Sequence, residues 1–208
     1  MQQFLYISLL LLVISSCQSQ TNNALNIHIG GPCEGCEAIH EYGNAILNNI
    51  DTITGFLDNE PKLKLEGTIY LQDKKTPASD IILYIYHTNR KGIYEKRGDE
   101  IGWAKRHGMI RGWIKTDSDG KYAFYTFRPA AYPGRTEAEH IHLTVKEPLK
   151  NEYYIENVFF DDDPLLTSDK RQKLKNRGGS GIVKPELKNG ILTVKRNIIL
   201  GLNIPNYY

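Results

Sequence analysis

From Lys62 onward the chain alternates. Leu63, Leu65, Gly67 and Ile69 occupy every second position among mostly polar residues, the pattern of a strand with one buried face. The stretch from Asp73 to Ala78 reads as a turn, and Ile81 to Tyr86 is a dense run of β-forming residues. Trp113 to Thr116, Tyr122 to Phe127 and His140 to Val145 are further strand candidates. Asp117-Ser-Asp-Gly120, between the first two of these, predicts a hairpin turn. Asn189-Gly190 predicts another, with Ile191 to Leu202 as the last strand. Asp161-Asp-Asp-Pro164 and the stretch from Asn176 to Gly181 read as loops, the three aspartates as solvated ones. Ahead of Lys62, the stretch from Ala38 to Ile50 suits either one short helix or irregular chain. Many short strands, turn residues between them, no long amphipathic helix and no internal repeat predict an all-β protein. The expected architecture is an antiparallel β-sandwich or related barrel with an irregular, partly helical N-terminal extension.

The first residues carry a different pattern. Phe4 to Ile14 is an unbroken apolar run, too short for a bilayer span of roughly 20 residues. Ser15, Ser16 and Cys17 follow it, small residues of the kind found at a signal-peptidase site. A hydrophobic residue, two small ones and a cysteine resemble a bacterial lipobox, so Cys17 is the expected lipidation site and new N-terminus. The alternative is an ordinary secretory signal with an incidental cysteine. This gives an export signal over 1–16, a tether and Cys-containing extension over 17–61, and one sandwich domain over 62–208. The expected location is the cell envelope, with the lipid as membrane anchor.

Composition narrows the function. The 26 basic residues nearly balance the 24 acidic ones, so charge makes no case for a nucleic-acid partner. Thirteen tyrosines agree with a β-rich body. Cys33 and Cys36 form a C-x-x-C pair, which is expected to be oxidised outside the cytoplasm. The spacing also suits a redox pair or half a zinc site. With no second C-x-x-C and no thioredoxin-like strand-helix context, a local disulfide bracing the N-terminal loop is the expectation. Asp117 to Gly120 has its glycine fourth, where a calcium loop needs it sixth. Gly178 to Gly181 lacks the Lys-Ser/Thr ending of a phosphate loop.

The informative motif is His140-Ile-His142 on a strand. Residues at i and i+2 share a face, so two imidazoles about 7 Å apart along the chain can grip one metal ion. An isolated H-x-H is more often an exposed pair on an edge strand. Tyrosine adds weight, because a phenol ligates only as phenolate and needs a hard, highly charged cation to drive off its proton. Two phenolates with two imidazoles suit ferric iron better than zinc or ferrous iron.

From about Leu65 to Leu202 the chain resembles the intradiol ring-cleavage dioxygenases, the group of protocatechuate and catechol dioxygenases. The resemblance is carried by Leu65-x-Gly-x-Ile69, Lys91-Gly-Ile-Tyr94, Arg111 to Phe124, Arg128-Pro-Ala-Ala-Tyr-Pro133, His140-Ile-His142 and Phe160 to Leu165. It implies non-haem Fe(III) held by Tyr94, Tyr132, His140 and His142. It also implies that a catechol-type substrate and O2 react at that iron, with Tyr132 leaving the metal and acting as base, to give a muconate-type diacid. Family members are often oligomeric, so a homo-oligomer is a possible state. Two positions depart from the family. Tyr84 stands where an acidic residue is usual, and Glu137 where an arginine usually stabilises negative charge beside the substrate ring. Arg135, two residues earlier, is the expected substitute. A non-catalytic lipoprotein that binds iron, a catechol-type ligand or a glycan is the alternative, and copper or zinc in the same site is a third.

Overall fold

Hydrogen-bonded strands form two sheets packed face to face, and the metal-ligand candidates lie on the outside of one of them. The computed structural model describes residues 28–208; the expected export signal and Cys17 lie outside the described residues. In chain order the strands are β1 (Ile50–Thr52), β2 (Lys62–Tyr70), β3 (Ile82–Tyr86), β4 (Arg111–Lys115), β5 (Lys121–Phe127) and β6 (His140–Lys146). They continue as β7 (Tyr153–Tyr154), β8 (Val158–Phe160), β9 (Ile182–Val183), β10 (Glu186–Lys188), β11 (Ile191–Lys195) and β12 (Ile198–Ile199). Among the described residues there are also two short helices, α1 (Ala104–His107) and α2 (Ser168–Lys173), and a 3-10 turn over Cys36–His40. One sheet runs β1-β5-β2-β11-β10 with β12 also on β2; the other runs β4-β3-β6-β8-β9 with β7 on β6.

Alternation places the core. Along β2 every second residue is buried, and Leu63, Leu65 and Ile69 meet Leu83, Ile85, Ile141, Leu143 and Val145 of the facing sheet. On β3 and β6 the intervening residues therefore point away from this core, and these are Tyr84, Tyr86, His140 and His142. A second, smaller cluster covers part of that outer face, where Ala38 and Ile39 of the 3-10 turn bury Tyr84 beside Trp103 and Trp113. The N-terminal stretch thus contributes this cover and edge strand β1, which pairs with β5.

Three details differ from the sequence expectation. The sandwich is mixed, because β1-β5, β2-β11, β2-β12 and β8-β9 are parallel; alternation along one strand carries no information about its neighbour's direction. The turn at Asp117–Gly120 is not a hairpin. It has turn chemistry, with Gly120 at φ 63° and Asp117 accepting the Asp119 N–H, but β4 and β5 that it joins lie in different sheets. The last strand is interrupted at Arg196–Asn197, although β11 and β12 keep one register on β2. There the Arg196 carbonyl passes 1.8 Å from where a Cβ on Gly67 would stand and accepts the Tyr122 hydroxyl, while the Asn197 side chain takes the Thr68 N–H. Asn189-Gly190 does turn β10 into β11, both residues at positive φ.

Of the three aspartates, Asp161 and Asp162 are exposed as expected, pairing with Arg171 and Arg128, whereas Asp163 is buried and accepts the backbone N–H groups of Glu139 and Leu165. Cys33 and Cys36 are joined by a disulfide.

Candidate metal centre

β6 sets the first two donors. His140 and His142, separated by inward-facing Ile141, bring their Nε2 atoms to 3.1 Å. The His140 Nδ1–H donates to the Ala138 carbonyl at 2.7 Å, so its Nε2 faces the site as a lone pair. Burial holds both imidazoles below the usual histidine range. The segment entering β6 is pinned. Arg128 donates to the Glu139 carboxylate at 2.6 Å and to both Asp162 oxygens at 2.8 and 2.9 Å.

The phenols arrive on two loops stitched together. Asn89 accepts the Lys91 and Ile93 N–H groups through its side chain, shaping the turn into Tyr94. Gly92 at its apex has φ 73°, and a Cβ there would lie 2.0 Å from the Ala131 carbonyl oxygen in the Tyr132 loop. Thr88 and Arg90 donate across the gap to the carbonyls of Ala130, Arg128 and Pro129. The result brings Tyr94 Oη to 2.8 Å from His142 Nε2, and Tyr132 Oη to 3.3 and 3.4 Å from the Nε2 atoms of His140 and His142. The two phenol oxygens are themselves in contact.

These separations are those of donors sharing one cation. Donors held about 2.0 Å from a metal, at angles between 90° and tetrahedral, stand roughly 2.8–3.3 Å apart. Proton counting points the same way, since five close contacts link the four donors and the two phenol protons can serve at most two of them. Burial, and for Tyr94 its contact with Tyr132, pushes both phenols above the ordinary tyrosine value, so ionising them needs a positive charge in the cluster. Among the described residues no group of three or more His, Cys, Asp or Glu could hold a metal ion. The convergence therefore depends on the phenols.

Two cavities reach the cluster and share Tyr132 and His142. One, of about 650 Å³, is walled by Tyr86, Trp103 and His107 with Lys96, Lys105 and Arg106 at its rim. The other, of about 520 Å³, has a more apolar wall of Ala138, Phe159, Leu166 and Leu174, with Glu137, Lys170 and Lys173. Arg135, the expected substitute for the family arginine, is exposed and lines neither cavity; its backbone N–H bonds the Tyr132 carbonyl. Glu137 faces the smaller cavity, and its charge raises the pKa of both phenols, while the charge of Arg135 lowers that of Tyr132. Tyr86, Trp103, Arg106 and His107 were not picked out from the sequence. The one signal for Tyr86 was its i+2 relation to Tyr84, and that does not say which strand lies beside it.

The dioxygenase family model (Dioxygenase_C) matches residues 41–188, most of the chain. The chain belongs to the intradiol ring-cleavage dioxygenase family. Similar curated members are catechol 1,2-dioxygenase 1 of Acinetobacter lwoffii, 37% identical over 34% of this chain and 22% of that one, and the protocatechuate 3,4-dioxygenase beta chain of Burkholderia cepacia, 25% identical over 48% and 45%. The chain thus spans less than half the length of these relatives. Among solved structures, catechol 1,2-dioxygenase from Acinetobacter sp. ADP1 superposes with a TM-score of 0.55 at 19% identity, over 74% of this chain and 58% of that one. The dioxygenase domain of a carbohydrate-binding fusion from Streptomyces sp. SirexAA-E gives 0.53 at 17% identity, over 76% and 94%. At such identities these two likenesses speak for the fold. Within the intradiol dioxygenase family, Tyr84 at the usually acidic position is buried and meets His107 Nδ1 at 2.9 Å.

Proposed function

We propose that the chain is a non-haem Fe(III) intradiol dioxygenase, held at the cell envelope by a lipid on Cys17, which opens a catechol-type ring between its two hydroxylated carbons. The observation that carries this reading is the convergence of four donor atoms from three chain segments, two phenol oxygens and two imidazole nitrogens, at 2.8–3.4 Å. Tyr94, Tyr132, His140 and His142 hold the metal. Bound there, ferric iron supplies the Lewis acidity that draws electron density from a catecholate ring and makes it reactive toward O2. Both oxygen atoms enter the product, a muconate-type diacid, so no reductant is consumed.

The chain's residues divide the remaining work. Tyr94, close to His142 and tied down by the Gly92 turn, would hold the metal and take no part in proton transfer. Tyr132, less buried and bordering both cavities, is the phenol whose oxygen takes a proton from a substrate hydroxyl. The aromatic walls orient the ring. Lys96, Lys105 and Arg106 favour rings bearing an anionic substituent, because their charges exceed that of Glu34 in the same wall.

Oxygen consumption by iron-reconstituted protein, across a panel of catechols and carboxylated catechols with product identification, tests this. Stoichiometric uptake with a ring-opened diacid is the expected result. A second reading has its own support: Glu137 faces a cavity and Arg135 lines neither, which leaves the described site without the family's usual cation beside the ring. On that reading the protein binds iron or a catechol-type ligand without cleaving it, and iron would be retained with no uptake on any substrate.

A further inference from the structure

The plane of His142 is fixed by stacking. Its ring lies against Tyr86, the residue paired with it across β3 and β6, at a centroid distance of 4.4 Å and 14° between planes. Tyr86 also stacks on His107 at 3.8 Å and 6°. Two imidazoles stacked this closely on one phenol ring cannot share a face, so Tyr86 is sandwiched between them. His107 is buried and held in turn, with Tyr84 Oη 2.9 Å from its Nδ1 and Trp103 stacked beside it at 5.5 Å. Its remaining edge abuts Gly35. A Cβ on Gly35 would stand 2.7 Å from His107 Nε2 and 2.9 Å from Cε1, and Gly35 has φ 87°. That glycine lies inside the four-residue loop closed by the Cys33–Cys36 disulfide. Behind the loop, Ala38 and Ile39 close over Tyr84.

A ligand imidazole must point its lone pair at the metal, and the groups behind it decide whether it does. For His140 that group is the Ala138 carbonyl. For His142 the orientation of the ring plane comes from the stack on Tyr86.

We propose that Tyr86 and His107 are positioning residues of the metal centre, with the disulfide-closed loop Cys33–Cys36 as their backstop, so that this loop sets the orientation of His142. The inference rests on the reading of the tetrad as a ferric site. It gives the disulfide, Gly35 and Tyr84 one shared role.

The test measures iron affinity by competition with a chelator of known affinity, together with the tyrosinate-to-iron absorption band. The proteins are the wild-type chain, Tyr86→Leu, Tyr86→Phe, Gly35→Ala and the double variant Cys33→Ser/Cys36→Ser. Urea midpoints of the metal-free forms are recorded alongside. Tyr86→Leu and Gly35→Ala are expected to weaken iron binding by roughly 10- to 100-fold, the usual loss when a ligand's supporting group is removed, and to shift the band. Tyr86→Phe, which keeps the stacked ring, stays near wild type, and the double serine variant falls between. Affinity and band unchanged in both Tyr86→Leu and Gly35→Ala overturn the inference, as do losses that merely follow a lowered urea midpoint. A wild-type chain that binds no iron at all overturns the ferric reading itself, and this inference with it.

Discussion

Replacing Arg128 by Met should cost about 3 kcal/mol of stability and loosen the metal centre. The guanidinium joins the end of β5 to two other segments, Glu139 just before β6 and Asp162 just after β8. Arg128 and Glu139 side chains are 15% and 20% exposed, whereas Asp162 is 55% exposed. The Asp162 arm therefore contributes at most about 1 kcal/mol despite its bidentate geometry. The Glu139 arm, short and mostly shielded, is a charge-assisted bond of about 1.5–3 kcal/mol. The guanidinium also lies 4.6 Å from the Phe160 ring centroid, a contact of about 0.5–1 kcal/mol. Methionine keeps the apolar stem and removes only these terms. Urea denaturation of wild type, Arg128→Met, Glu139→Gln and the double variant isolates the Glu139 arm, with an expected coupling of about 2 kcal/mol. Because Glu139 immediately precedes His140, iron affinity should fall in both single variants. A coupling below about 0.5 kcal/mol would refute the reasoning.

Gly92→Ala should leave the sandwich folded, by circular dichroism, yet lower iron affinity at least tenfold, because the added Cβ meets the Ala131 carbonyl and drives the Tyr94 and Tyr132 loops apart. His87 governs part of the acid sensitivity. It is buried with its ring bonded to the Thr88 carbonyl and the Thr126 hydroxyl, and burial lowers its pKa to about 4. Unfolded chains take up that proton near pH 6.5 and the folded protein does not, so stability should fall as pH drops from about 6.5 to about 4, by at most about 3 kcal/mol from this residue. His87→Gln should flatten that slope in chelator-treated protein, as read from urea midpoints across pH. An unchanged slope would refute the assignment.

Much of this architecture was readable in the sequence, for a physical reason. Alternation along β2 and β6 depends only on each strand's own residues, and the same rule puts His140 and His142 on one face. Convergence of Tyr94 and Tyr132 on that face was not derivable from spacing; the family resemblance carried it. What stayed hidden depends on which strands lie side by side. The parallel pairings, the crossing between sheets at Asp117–Gly120 and the Tyr86 layer under His142 all follow from pairing across the chain. Arg135, two residues from Glu137, is exposed and lines neither cavity, yet its charge still acts on the Tyr132 phenol. Glu137 faces the cavity instead.

The central claim is that Tyr94, Tyr132, His140 and His142 share one ferric ion, and metal analysis paired with an optical spectrum tests it most directly. Reconstituted protein should carry one iron per chain and a red-brown tyrosinate-to-iron band that Tyr94→Phe removes or strongly alters, with little change in the stability of the metal-free fold. Colourless, iron-free protein after reconstitution would contradict the account.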